Sequence, residues 1–276
     1  MTAGVGRGSS ARRVTSIVAV AACLSALAAA WAAWTFAYDQ AASVAARDAT
    51  AKLRFAAETL EKDFVRYKLL AKALAQTGAI RRRAVVDFDG GVDEAARLLE
   101  RMEAISGAER ISFATLATVR DEAERRAVAR AQQGVMGVGF DQAGAGAFVF
   151  AAPVWSEGAA VGAVVVRQSA AAIEFAWRAL PEILFFTTFE GRISLSSVAD
   201  LRLMTLSSAD APTPTRSAYQ RGGRTYWRFE DEDWRALGVA NDEALLLTAH
   251  FPALDMTGFI LADAAPLRRS SLYAAT

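Results

Sequence analysis

The chain has 276 residues, with 31 basic and 30 acidic side chains, a net charge of +1 and 53% hydrophobic residues. That balance carries no basic patch of the kind a nucleic-acid partner requires. One cysteine, Cys23, and one histidine, His250, exclude a disulfide framework and a Cys/His zinc cluster.

Residues 14–38 form an uncharged run of 25 residues that only Thr15, Ser16, Ser25 and Thr35 interrupt, and their hydroxyls can bond back to a helix. About 20 apolar residues cross a bilayer core, so this run is predicted to span with some tilt. Arg7, Arg12 and Arg13 precede it, and the flank at 39–46 has one acid and no base. The basic side stays cytoplasmic. The sequence therefore predicts a cytoplasmic tail at 1–13, a transmembrane helix at 14–38 and an outer part in the bacterial periplasm. Trp31, Trp34 and Tyr38 fall near the outer end, where amphipathic rings favour the headgroup region. A cleaved signal peptide shares the basic start and a small-residue site at Ala28-Ala29-Ala30. Its apolar core is typically only about 7–15 residues, so the longer run favours an uncleaved anchor.

From residue 40 the pattern turns amphipathic. Ala46, Ala49, Leu53, Ala57, Leu60, Phe64, Tyr67, Leu70 and Leu74 recur in steps of three and four. They predict one stripe on a stalk helix at 39–81 that continues from the span without a stop. Gly90-Gly91 punctuate the chain before a second helix with Ala95, Leu98, Leu99, Met102 and Ile105 on its apolar face and Gly107 as its stop. Residues 111–119 read as a strand, 121–131 as a charged helix or loop, and the Gly-rich 134–146 as a loop bordering a pocket.

Two strands at 147–155 and 159–168 flank the turn Ser156-Glu157-Gly158. Ser169 is placed to cap a short helix through Trp177, and Pro181 marks the best internal boundary. Strands at 183–189, 192–196, 224–229, 244–251 and 258–262 follow. The predicted class is α+β: a long helix, then two successive helix-plus-antiparallel-sheet units at 82–180 and 181–263. Residues 264–276 read as the approach to a second span that the chain does not include, as in a fragment or a truncated gene product.

Phe150-Ala151-Ala152-Pro153-Val154, the turn, and Val161-Gly162-Ala163-Val164-Val165-Val166-Arg167 resemble the central hairpin of double Cache (PDC-like) sensor domains. The helix carrying Glu174 and Trp177, the Glu190-Gly191 turn and Leu195-Ser196-Ser197 are similar to the sensor region of bacterial C4-dicarboxylate sensor histidine kinases. Arg66-Tyr67 resembles part of their long first helix. The segment 120–146 departs from them by being short and lacking an aromatic- and Arg-rich pattern. The resemblance implies two tandem Cache lobes, the first membrane-distal and the second membrane-proximal. It also implies a two-component signal-transduction role and a small carboxylate as ligand, with no cofactor and no catalysis by this chain. A membrane-anchored envelope protein with an enzymatic or scaffolding role is the competing class.

Arg167 is the residue expected to contact an anion, since a guanidinium grips a carboxylate with two parallel hydrogen bonds. The alternative is a strand-end charge paired with Glu174. Phe148 and Phe150 alternate on one strand, with Trp155 near the turn, and are candidates for pocket lining or for core. His250, near Asp255, lacks the nucleophile that a catalytic base requires. The run Glu230-Asp231-Glu232-Asp233 lacks the Asp/Asn alternation and Gly of a calcium loop. Ala21, Ser25, Ala29 and Ala33 recur every four residues in the span, a spacing that lets two helix backbones approach closely and predicts a parallel homodimer.

Overall fold

The computed structural model describes residues 8–85, 89–142, 146–188, 191–202, 204–206, 216–229 and 243–264. Its spine is α1 (Gly8–Ala75), a single helix of 68 residues. It contains the stretch that is long and apolar enough to cross a membrane. No break separates that stretch from the stalk. Ser25 and Thr35 donate their hydroxyls to the carbonyls of Ala22 and Ala32, each at 2.9 Å, so neither leaves a stray donor in the run. The predicted stripe is buried: Ala49, Leu53, Ala57, Leu60, Phe64, Tyr67 and Leu74 all enter one core. The helix ends at Ala75 rather than near 81, where Gln76 and Thr77 close the last turn and α2 (Gly78–Val85) begins. Helix α3 (Asp89–Ser106) starts ahead of Gly90-Gly91, which lie in its first turn rather than before it. Gly107 stops it with φ +73°.

The first sheet joins β1 (Arg110–Ala114), β2 (Gly137–Asp141), β3 (Ala147–Ser156) and β4 (Ala159–Ser169) in the order β1-β4-β3-β2, all antiparallel. Strand β1 is shorter than predicted because Thr115–Thr118 turn back, Thr118 Oγ1 accepting from the Thr115 amide at 3.0 Å. The Gly-rich segment expected to be a loop supplies β2. Glu157 and Gly158 both have positive φ (50° and 83°), which matches the twist of the β3–β4 hairpin. Helix α4 (Glu122–Gln132) covers one sheet face, and α1 to α3 cover the other.

The α4 contact depends on glycine. A Cβ on Gly137 would lie 1.9 Å from the Ala127 carbonyl oxygen, and one on Gly139 2.9 Å from that of Ala123. Ala123, Ala127 and Ala131 on the helix answer those glycines, so the backbones meet with nothing between.

Helix α5 (Ala170–Glu174) and one 3₁₀ turn, Phe175–Trp177, lead to the second sheet. Ser169 precedes α5 but makes no side-chain capping bond. The sheet comprises β5 (Ile183–Thr188), β6 (Ile193–Ser196), β7 (Arg216–Arg221), β8 (Arg224–Phe229), β9 (Glu243–Phe251) and β10 (Met256–Asp263). The order is β6-β5-β10-β9-β8-β7, and β7 had no counterpart in the sequence reading. Leu184, Phe186, Leu195, Tyr226, Leu245 and Ile260 face α1. Ile183, Phe185, Trp227, Leu261 and Leu201 form a separate cluster on the far face. The architecture is α+β, two antiparallel sheets strung along one helix. The stalk is not a free rod: the second sheet packs on it from Tyr38 onward.

Candidate functional site

The four residues singled out for ligand contact do not converge. Arg167 on β4 pairs across the sheet with Arg110 and Val149, on the face that meets α4. Phe148 and Phe150 point the other way. Phe150 packs on Phe64 at 5.3 Å and Tyr67 at 6.2 Å, and Phe148 on Phe64 at 4.6 Å and Phe140 at 4.8 Å. Both are core side chains, although Phe148 also reaches a cleft of about 570 Å³ between the two sheets, beside Lys68 and Leu254. Trp155 is half-exposed beside the hairpin turn, its ring over Gly134.

Arg167 is not a strand-end charge paired with Glu174. It is largely buried, donates Nε to Glu109 Oε1 at 3.2 Å and pairs through Nη2 with the buried Asp141. Burial disfavours its charge, but Asp141 and Glu109 more than offset that, so its pKa is raised and it stays cationic. Glu174 is instead fully buried on α5. Its Oε1 accepts from the Ser196 amide at 2.9 Å and from Arg202 Nε at 3.0 Å. It thereby ties the end of the first unit to β6 of the second.

Arg167 borders a cavity of about 770 Å³ at the β1 edge, between the end of α3 and the start of α4. Its wall is ionic. Asp121 caps α4 by accepting from the Glu124 amide at 2.8 Å. Glu124, three residues into the helix, does not reach back to the cap but turns to Arg110, 2.5 Å away. Glu103 accepts from the Ile111 amide at 2.9 Å, fastening α3 to β1. Arg120 also lines the cavity, is exposed, and makes no ion pair among the described residues. The sequence reading missed Arg110, Arg120, Glu103, Glu109, Glu124 and Asp141. The signal within reach was Asp121-x-x-Glu124, the pattern of a helix start. The pairing of Arg167 with Asp141 across 26 residues left no local trace.

His250 lies exposed on β9, its Nδ1 3.4 Å from Thr257 Oγ1 on the neighbouring strand. Asp255 occupies the β9–β10 turn with φ +54°. Residues 230–233 lie outside the described residues. Among the described residues no cluster of three His, Cys, Asp or Glu side chains could hold a metal ion.

No protein-family model and no curated protein sequence matches the chain. Solved structures do. The sensor domain of the Vibrio cholerae histidine kinase DctB aligns with a TM-score of 0.66 at 14% identity, over 81% of this chain and 98% of that one. The ligand-binding domain of Mlp24 with asparagine gives 0.56 at 14%, over 85% and 98%. The sensory domain of the Campylobacter jejuni chemoreceptor Tlp3 with isoleucine gives 0.54 at 11%, over 85% and 98%. The two-sheet unit on one long helix is therefore a sensor-domain fold, shared by kinases and chemoreceptors. It is the double Cache arrangement that the hairpin at 147–169 resembles.

Proposed function

We propose that the chain is the periplasmic ligand-sensing region of a receptor anchored in the bacterial inner membrane, with residues 82–180 as the membrane-distal lobe and 181–263 as the proximal one. One observation carries this: α1 runs unbroken from the apolar segment through the cores of both lobes, so a shift in either lobe acts on the helix that enters the bilayer. The output we infer is a two-component histidine kinase, on the likeness to the DctB sensor domain. The chain itself has no catalytic role in this reading.

The ligand is a small metabolite with a carboxylate, held in the distal cavity. Arg120 is the group that receives it, because Arg110 and Arg167 already have carboxylate partners. The four acids around it suit a ligand that also carries an ammonium. The isoleucine and asparagine of the compared domains have both groups. Thermal shift of the full chain in detergent against organic acids and amino acids tests this, since a ligand that binds only the native state raises its stability. Arg120→Ala should leave the fold intact and raise the Kd of the stabilising compound at least about tenfold. An unchanged Kd removes the site.

Two copies are proposed to pair along α1. The stripe at 46–74 cannot serve, because the lobes bury it. A second face is free. Val44, Phe55, Val65 and Leu69 are exposed, Phe55 by 71%. At about 100° per residue they fall within about 40° of Ala33 and opposite the buried stripe. The small-residue face in the bilayer thus continues into an exposed apolar face outside it. Copies inserted with the same orientation are parallel.

A further inference from the structure

The β7–β8 hairpin folds back onto the last turn of the apolar segment. The Arg221 guanidinium carbon lies 3.8 Å from the Tyr38 ring centroid and 4.9 Å from that of Trp34. Gly222 and Gly223 turn the chain with φ of +56° and +71°, and a Cβ on Gly222 would come 2.9 Å from Asp39 Oδ1. No linker separates the second sheet from the segment that enters the membrane.

The depth of this contact follows from helix geometry. Trp34 is 21 residues beyond Arg13. At 1.5 Å per residue that is about 31 Å, and the hydrocarbon core is about 30 Å. Trp34 then stands at the outer boundary, and Tyr38, about 6 Å further, among the headgroups. Trp31, about a turn below Trp34, is 68% exposed. A guanidinium held over aromatic rings by cation–π attraction still has N–H donors to offer, and its planar fork can take a phosphate with two hydrogen bonds. Among the described residues Arg221 makes no ion pair, and Arg224 donates only to the Gly222 carbonyl, at 3.3 Å.

We propose that this hairpin is a lipid-binding surface, with Arg221 and Arg224 holding the phosphates of anionic headgroups in the outer leaflet. It rests on reading residues 14–38 as a span. The proximal lobe would then be seated on the bilayer, so that tilting α1 also moves the lobe against the headgroups.

The test uses the full chain with Cys23→Ala, reconstituted in phosphatidylcholine vesicles with or without phosphatidylglycerol. Single cysteines replace Gln220 near the hairpin turn, Gln133 in the distal lobe or Ser25 in the span, each carrying a fluorophore. A headgroup nitroxide lipid should quench the label at 220 but not at 133, more strongly with phosphatidylglycerol present. Arg221→Glu with Arg224→Glu should abolish that extra quenching. Equal quenching at 220 and 133, or quenching at 220 that ignores both phosphatidylglycerol and the double substitution, overturns the proposal. Ser25 separates the two readings. If an acyl-chain nitroxide quenches the label at 25, the anchor stands whatever the hairpin does; if it does not, the span reading itself fails.

Discussion

The two lobes use α1 in the same way and finish their second faces differently. Each sheet lays one apolar face on the helix, through Phe148, Phe150, Val164 and Val166 in the distal lobe and Leu184, Phe186, Leu245 and Ile260 in the proximal one. The distal second face is closed by α4, backbone against backbone at Gly137 and Gly139. The proximal second face is an aromatic cluster, with Phe185 stacked on Phe259 at 4.9 Å and Trp227 beside them. Backbone contact leaves no slack, whereas side chains can shift rotamer. The distal lobe has therefore pushed its cavity to the β1 edge, because the middle of the sheet is filled.

That difference can be broken with one methyl group in each lobe. Gly137→Ala drives a Cβ into the Ala127 carbonyl and must lift α4. The expected result is loss of the folded distal lobe, read as loss of a cooperative thermal transition. Gly258→Ala, where β10 meets α1, instead presses on the Leu53 and Phe186 side-chain ends at 2.8 and 2.9 Å. It should cost only about 1–3 kcal/mol, the usual range for overpacking. Equal damage at both positions would show that the α4 contact is looser than its geometry implies.

Phe150→Ala sharpens the assignment of faces. The side chain is fully buried against Phe64 and Tyr67, so truncation should cost about 3–5 kcal/mol in chemical denaturation. The cost should be the same with or without ligand. A loss that appears only when ligand is present would restore Phe150 to the binding site.

The latch between lobes gives a smaller, pH-dependent effect. Burial pushes the Glu174 pKa above its ordinary 4.5, against the Ser196 amide and Arg202, which favour the carboxylate. A raised folded value means that folding takes up a proton there. The stabilisation is complete below the ordinary value and fades as pH rises through the folded one. Glu174→Gln removes this dependence. Denaturation of parent and variant from about pH 4 to about pH 8 should show the parent losing ground to the variant as pH rises. A parent that gains ground instead would mean that the ion pair with Arg202 outweighs its desolvation.

What the sequence made legible follows from the range of the forces involved. Strands β3, β4, β5 and β10 were readable because both their faces are buried, so each is a nearly continuous apolar run. Strand β7 was missed because it sits at the sheet edge and reads Arg-Ser-Ala-Tyr-Gln-Arg, with little apolar signal. Strand β2 was missed because Gly137 and Gly139, which look like loop residues, are there to admit α4. Of the lining of the candidate cavity, the sequence singled out one residue. Arg167 does line the distal cavity, but its partners Asp141 and Glu109 are set by sheet register, and Phe148 and Phe150 lie on the opposite face by simple alternation.

The least perturbing experiment bears on what the lobes share, the free face of α1. In a Cys23→Ala background, cysteines at Ala21 and Ala29 should crosslink in membranes, and those at Ala19 and Leu27 should do so less. The structure adds a second pair outside the bilayer. Leu69 is 60% exposed and Tyr67 is buried in the lobe core, so Leu69→Cys should crosslink and Tyr67→Cys should not. Ala33 and Leu69 are ten turns apart on one face at 3.6 residues per turn and Ala29 lies about 40° from both, so one straight pair of parallel helices brings 29, 33 and 69 together, whereas Ala21, about 120° round, meets its twin only where the helices cross. Crosslinking at 21 and 29 without 69 would mean that the helices splay above the membrane and that the lobes stand apart. Crosslinking at 69 alone would place the dimer contact in the lobes' own helix face and leave the span a simple anchor. Only the joint result lets a displacement in the distal lobe pass along one continuous seam into the bilayer.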